Sequence, residues 1–237
     1  MQYLDLTLAS PAANLACDEA LLDACEDGSG AEVLRFWEPQ ECFVVAGYSN
    51  EVAREVNLAA CRQAGIGVFR RCSGGGAVLQ GPGCLNYSLV LEISARPPLE
   101  TITGANRHIM ERQRAALAAV LQQAVEVKGC TDLAAGGLKF SGNAQRRKRR
   151  ALLFHGTFLL HFDLSQMDPY LKMPSRQPEY RNGRPHGGFL MNLNVAAPAI
   201  KEALRLAWGA RAPLAEAPDC QRLIAEKYDR DAWNLKF

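Results

Sequence analysis

Residues 131–160 read TDLAAGGLKFSGNAQRRKRRALLFHGTFLL. Two runs rich in Leu and Phe, "LKFSG" and "ALLFHGTFLLHF", have the composition of strands. Five basic residues, Arg146–Arg150, separate them. A hairpin is expected, with the basic run as its charged, solvated tip. Lys139 stands on the first strand, ahead of Ser141-Gly142-Asn143, a sequence suited to a tight turn that offers amides. Lysine is a compact point charge able to approach a phosphate or a carbonyl oxygen. Taken alone, a strand lysine is more often solvated than catalytic. His155, in an apolar strand, is by itself more often a packed core residue than a catalyst. Gly156 beside it marks a place where other groups come close to the backbone.

A second segment, "RRCSGGGAV" from Arg70 to Val78, follows the strand-like "IGVFRR". Three successive glycines permit positive φ and let backbone amides approach an anion. The two arginines ahead of them are expected to supply fixed positive charge. No Gly-Lys-Ser/Thr follows, so this is not a Walker loop, and the spacing is not that of a dinucleotide fingerprint.

The rest of the chain frames these two segments. Ser10 and Pro11 open a helix expected to run to Glu26. The segment "TGANRHIMERQRAALAAVLQQAV" has the clearest helical apolar stripe, and "APAIKEALRLAW" and "CQRLIAEKY" read as closing helices. Strands and helices mix without strict β-α alternation, which favours an α+β fold over a doubly wound sheet.

The chain has 237 residues, a net charge of +2 and 48% hydrophobic content, which suits one large domain with an ordinary core. That charge is low for a protein that binds nucleic acid over its whole surface, and no aromatic RNA-recognition motif accompanies the basic run, so nucleic acid is not an expected partner. Eight cysteines include no C-x-x-C pair, which argues against zinc, and no apolar run reaches the length of a membrane span. A reduced, cytoplasmic protein is expected.

The two motifs in this order, "RRCSGGGAV…GPGCLNYSL" and "DLAAGGLKFSGNAQRRKRRALLFHGTFLL", resemble the lipoate–protein ligase A family, grouped with biotin–protein ligases and octanoyltransferases. The resemblance runs from "PAANLACDEALL" to "LIAEKYDRDAWNLKF". It implies a mixed, largely antiparallel sheet flanked by helices, with a class II synthetase-like catalytic core. It implies a catalytic domain over 1–194 and a short helical extension of the same domain over 195–237, without a full accessory domain. The implied activity joins lipoate or octanoate to ATP as an acyl-adenylate, then passes the acyl group to a carrier lysine. Such carriers are lipoyl domains of 2-oxoacid dehydrogenase acyltransferase subunits or the glycine cleavage H protein, and an accessory subunit is a further expected partner.

On this resemblance Lys139 is the catalytic lysine. Arg71 and Gly76-Ala77-Val78-Leu79 match ATP-binding positions, while Ser73, Gly74 and Gly75 line the acyl and phosphate pocket. Asn86, Ser141, Gly142, Asn143, Ala144, His155 and Gly156 match positions around the adenylate. Asp132 matches a position suited to holding Mg²⁺ on the phosphates. Val44–Gly47 and Leu89 are candidate walls of the acyl tunnel. The alternative within the same superfamily is an ATP-independent octanoyltransferase that carries octanoate as a cysteine thioester. Cys130, upstream of Lys139, is then the candidate nucleophile.

Overall fold

The structure is a computed structural model and describes residues 1–237. Its elements in chain order are β1 (Gln2–Asp5), α1 (Pro11–Asp27), β2 (Val33–Trp37), β3 (Phe43–Ala46), α2 (Val52–Glu55), α3 (Leu58–Gln63), β4 (Gly67–Arg70), β5 (Val78–Gln80) and β6 (Cys84–Glu92). There follow α4 (Ile102–Leu121), β7 (Glu126–Lys128), β8 (Asp132–Ala135), β9 (Leu138–Arg147), β10 (Ala151–Leu159), α5 (Met167–Tyr170), α6 (His186–Phe189), α7 (Ala197–Trp208) and β11 (Ala212–Pro213). Two short helical turns, Gln221–Leu223 and Ile224–Tyr228, run into Asp231–Asn234.

Eight strands form one sheet in the order β11-β1-β2-β6-β10-β9-β8-β7. The pairings of β1 with β11 and β2 are parallel, and the other five are antiparallel. A smaller sheet orders β4-β3-β5. This is the mixed, largely antiparallel α+β architecture expected from the sequence. No helix is long and apolar enough to cross a membrane.

Local chemistry sets the helix ends. Ser10 caps α1 by accepting a hydrogen bond from the Ala13 amide, Pro11 occupies the first turn, and Gly28 ends the helix at φ 85°. Thr101 caps α4 in the same way through the Gly104 amide.

Strand alternation divides the core into two layers. Leu85, Tyr87, Leu89 and Leu91 of β6 face α4 and α7, in a cluster that includes Ile109, Leu117 and Leu204. Val90 of β6 and Leu153 of β10 face the other way, against α1 and Tyr228. A third cluster, with Val44, Ala46 and Leu79, underlies the small sheet.

The expected hairpin differs from the structure in its extent. β9 continues through Arg146 and Arg147, so the turn comprises Lys148–Arg150 alone. Alternation then disperses the basic run. Arg146 lies over the Tyr48 ring at 5.3 Å, whereas Arg147 donates to the Leu99 and Glu100 carbonyls. Lys148 pairs with Asp23 at 2.6 Å, and the Glu26 carboxylate accepts from the amides of Arg149, Arg150 and Ala151.

Candidate active site

The α1-facing side of the large sheet and the loop from β4 to β5 form the site together. That loop is the glycine segment. Gly75 takes φ 94°, in the left-handed region open to glycine. The amides of Gly74, Gly75 and Gly76 find no acceptor within the protein, which leaves three adjacent donors for an anion.

Arg71 holds the loop in shape. Its guanidinium donates to the carbonyls of Val45, Gly74 and Gly76 and to Ser73 Oγ. Burial lowers its pKa to about 10, so it stays cationic at neutral pH. At the loop's far end the buried Glu55 accepts from the Ala77 amide at 2.8 Å and from the Ser175 hydroxyl at 2.7 Å.

Arg70 does not supply charge to an anion as the sequence suggested. It is fully buried, and its guanidinium donates to the carbonyls of Gly47, Tyr48, Asn50, Trp233 and Lys236. It ties the loop after β3 to the segment around Trp233. The alternation of β4 sends adjacent residues to opposite sides, and only the tertiary structure shows which of the two arginines turns inward.

Lys139 lies on β9, with its Nζ 2.8 Å from Asp132 Oδ1. A Cβ on Gly142 would stand 2.8 Å from that Nζ, so a glycine there lets the ammonium rest over the strand. Asp132 Oδ2 accepts from the Tyr180 hydroxyl at 2.8 Å. Both carboxylate oxygens thus have protein donors. A single carboxylate beside bound phosphates is a sufficient protein ligand for Mg²⁺, since that ion keeps several waters. Holding the ion would require Asp132 to give up one of its two partners.

Gly142, Ala144 and His155 share the face that carries Lys139 Nζ, as the register Ala144↔His155 and Gly142↔Thr157 requires. His155 Nε2 lies 2.5 Å from Ser73 Oγ, and its Nδ1 lies 3.3 Å from Asp18 Oδ2. Asp18 Oδ1 pairs with the fully buried Arg35 at 2.5 Å. Burial acts to raise the Asp18 pKa, but Arg35 and His155 hold the carboxyl below its usual range. An ionised carboxylate only accepts, so the proton of His155 belongs on Nδ1 and Nε2 accepts from Ser73. On the same face Asn86, Gln80 and Thr157 close a ring of hydrogen bonds: Asn86 donates to Gln80, Gln80 to Thr157, and Thr157 to Asn86.

Other residues singled out from the sequence stand elsewhere. Asn143 points to the opposite face, where its amide donates to the Thr131 carbonyl and accepts from the Tyr87 hydroxyl. Gly156 leaves room for that amide: a Cβ there would stand 1.8 Å from Asn143 Oδ1. Leu89 also faces the α4 side and lines nothing in this site. Val44 and Leu79 are buried beneath the small sheet, whereas Ala77 and Val78 reach the surface to differing degrees. The buried Ser141 directs its hydroxyl toward Asn143.

Cys130 is exposed on the turn between β7 and β8, and its sulfur makes no hydrogen bond. Burial pushes the Cys72 and Cys84 thiols up to about 12. Asp18, Arg35, Glu55, Gln80 and Tyr180 were not singled out from the sequence, where each is an ordinary polar residue in an ordinary element.

The Ser73–His155 contact thus joins the glycine loop, with its three free amides, to the sheet face over which the Lys139 ammonium rests. Residues 10–196 match the model of the lipoyl protein ligase A/B catalytic domain, and the chain belongs to that family. It is 29% identical to the octanoyltransferase LipM of Anoxybacillus flavithermus, across 99% of this chain and 98% of that protein. Two solved structures are also similar. A lipoate-protein ligase A bound with ATP has a TM-score of 0.82 at 26% identity, covering 99% of both chains. A bi-partite lipoate protein ligase from Thermoplasma acidophilum, described with its E2 lipoyl domain, has a TM-score of 0.83 at 25% identity, covering 99% of this chain and 96% of that one.

Proposed function

We propose that this protein activates lipoate or octanoate with ATP and transfers the acyl group to a lysine of a lipoyl carrier domain. The observation that carries this reading is the Lys139 ammonium, seated over Gly142 and paired with Asp132, on the sheet face to which Ser73 binds the glycine loop through His155. Adenylation brings a carboxylate onto a phosphate, and two negative groups must meet. A fixed cation between them stabilises charge developing on the phosphoryl oxygens. In this reading Lys139 is that cation, the amides of Gly74–Gly76 hold phosphate, and Arg71 keeps the loop open. Mg²⁺ would be held by Asp132 and phosphate oxygens.

The carrier is an E2-type lipoyl domain or an H protein, and an accessory chain belongs to the proposal because a similar ligase is bi-partite. A cytoplasmic location fits eight cysteines that are all unpaired. The test is lipoate-dependent ATP–pyrophosphate exchange by the purified chain, alone and with a candidate accessory protein. Absence of exchange in both cases removes the ligase reading.

A second reading, an ATP-independent octanoyltransferase, is favoured by the full-length similarity to LipM. It predicts an octanoyl adduct by intact mass after incubation with octanoyl-carrier protein. Full activity in Cys130→Ser would leave that cysteine without a role.

A further inference from the structure

His155 is held at both ring nitrogens on the face where Lys139 rests. Aminolysis of an acyl-adenylate has a proton to place. When the carrier amine attacks the acyl carbon, the new C–N bond leaves a surplus proton on nitrogen. Lys139 is engaged as an ion pair, and the oxygens of Asp132 are both occupied. Of the other histidines, His186 is paired to Asp168 and His108 stands on α4, across the sheet. His155 is the one imidazole in the site, and Ser73, at the head of the glycine loop, is the hydroxyl it faces.

We infer that Ser73 and His155 form a proton relay that serves the transfer step, with Asp18 as the residue that orients the imidazole. The inference rests on the ligase reading. The carrier amine bonds to the acyl carbon, and the bond from that carbon to the phosphate oxygen breaks. AMP leaves with the electron pair. The surplus proton passes to Ser73 Oγ while Ser73 gives its own proton to His155 Nε2. The imidazolium then returns a proton to solvent. Asp18, 3.3 Å from Nδ1, fixes the tautomer with Nε2 free to accept and stabilises the cation that forms. Four groups face the relay: Asp18 from α1, Arg35 from β2 behind Asp18, Ser88 from β6 beside Asp18, and Arg71 across Ser73. The Arg71 Nε donates to Ser73 Oγ at 3.2 Å, which orients the hydroxyl proton toward His155.

The experiment separates the two half-reactions in the full-length chain. Adenylation is measured as lipoate-dependent pyrophosphate exchange. Transfer is measured in single turnover from synthetic lipoyl-adenylate to an isolated lipoyl domain. In Ser73→Ala and His155→Gln the ratio of transfer to exchange should fall about 10²-fold, beyond whatever loss exchange itself suffers. If both half-reactions fall in proportion, or neither falls, the pair only anchors the loop and the relay is overturned. Should Ser73→Ala fail to fold, His155→Gln and Asp18→Asn carry the same ratio test. A wild-type chain that performs neither half-reaction removes the ligase reading, and this inference with it.

Discussion

Gly47 and Gly75 approach so closely that a Cβ on Gly47 would stand 1.9 Å from the Gly75 carbonyl oxygen. The contact sets the height of the glycine loop over the end of β3. Gly47→Ala must therefore push the loop outward, because its neighbour there is backbone and cannot rotate away. We expect a loss of about 1–3 kcal/mol in stability, as for other overpacked sites, with ATP affinity at least about tenfold weaker because the amides of Gly74–Gly76 are displaced. Thermal melting and ATP titration of the purified variant check both effects, and an unchanged ATP affinity would separate the loop from nucleotide binding.

Arg70 predicts the converse, a structural arginine inside a phosphate-loop sequence. Lysine has no planar fork and cannot serve five carbonyls at once. Arg70→Lys should cost about 2–4 kcal/mol. Limited proteolysis should then cut first in residues 47–50 or near Trp233. Loss of ATP binding with no loss of stability would return Arg70 to the ligand.

Lys139→Gln should lower pyrophosphate exchange by about 10²–10³-fold. The fold should survive, because the strand is held by backbone pairing with β8 and by the bond from the Met191 amide to the Lys139 carbonyl. Circular dichroism alongside the exchange assay checks this. Near-normal exchange in a folded variant would remove Lys139 from the chemistry.

Glu55 makes stability depend on acid. Burial acts to raise its pKa, but hydrogen bonds from Ser175, the Ala77 amide and Asn50 overcome that and hold the folded value below 4.5. A lowered folded value stabilises the protein fully above about pH 4.5 and ceases to do so as pH falls through the folded value. Glu55→Gln should be less stable at pH 7, since an amide nitrogen would face one of the N–H donors, and its stability should fall less steeply below pH 4.5. Urea unfolding from pH 7 to pH 3.5 measures both, and parallel curves for the two proteins would show that Glu55 titrates alike folded and unfolded.

The sequence and the structure agree where a signal is local. Ser10-Pro11 marks the start of α1, and "APAIKEALRLAW" is α7 residue for residue. The glycine run was legible as a loop with free amides, because three glycines behind a strand have few other uses, whereas Lys139 stood out only through the family resemblance. What escaped was relational. Asp18 and His155 stand 137 positions apart, and nothing within a helix or a strand announces that they meet. Asn143 and Gly142 are neighbours in sequence, yet alternation places them on opposite faces of the sheet, so a motif quoted as one string serves two layers. The basic run read as a single patch because sequence has no faces. In the structure Arg146, Arg147 and Lys148 find three different partners.

Arg70 and the Lys236 carbonyl that it grips are 166 positions apart. During synthesis the loop after β3 therefore emerges long before the segment that clamps it. At the usual pace of translation the interval is roughly 10–30 s. Until it passes, Arg70 lacks two of the five carbonyls that fix it in place, those of Trp233 and Lys236. A nascent chain stalled before Trp233 should fold its central sheet while its glycine loop stays unset, so the capacity to bind ATP would arrive only with the segment from Trp233 to Lys236.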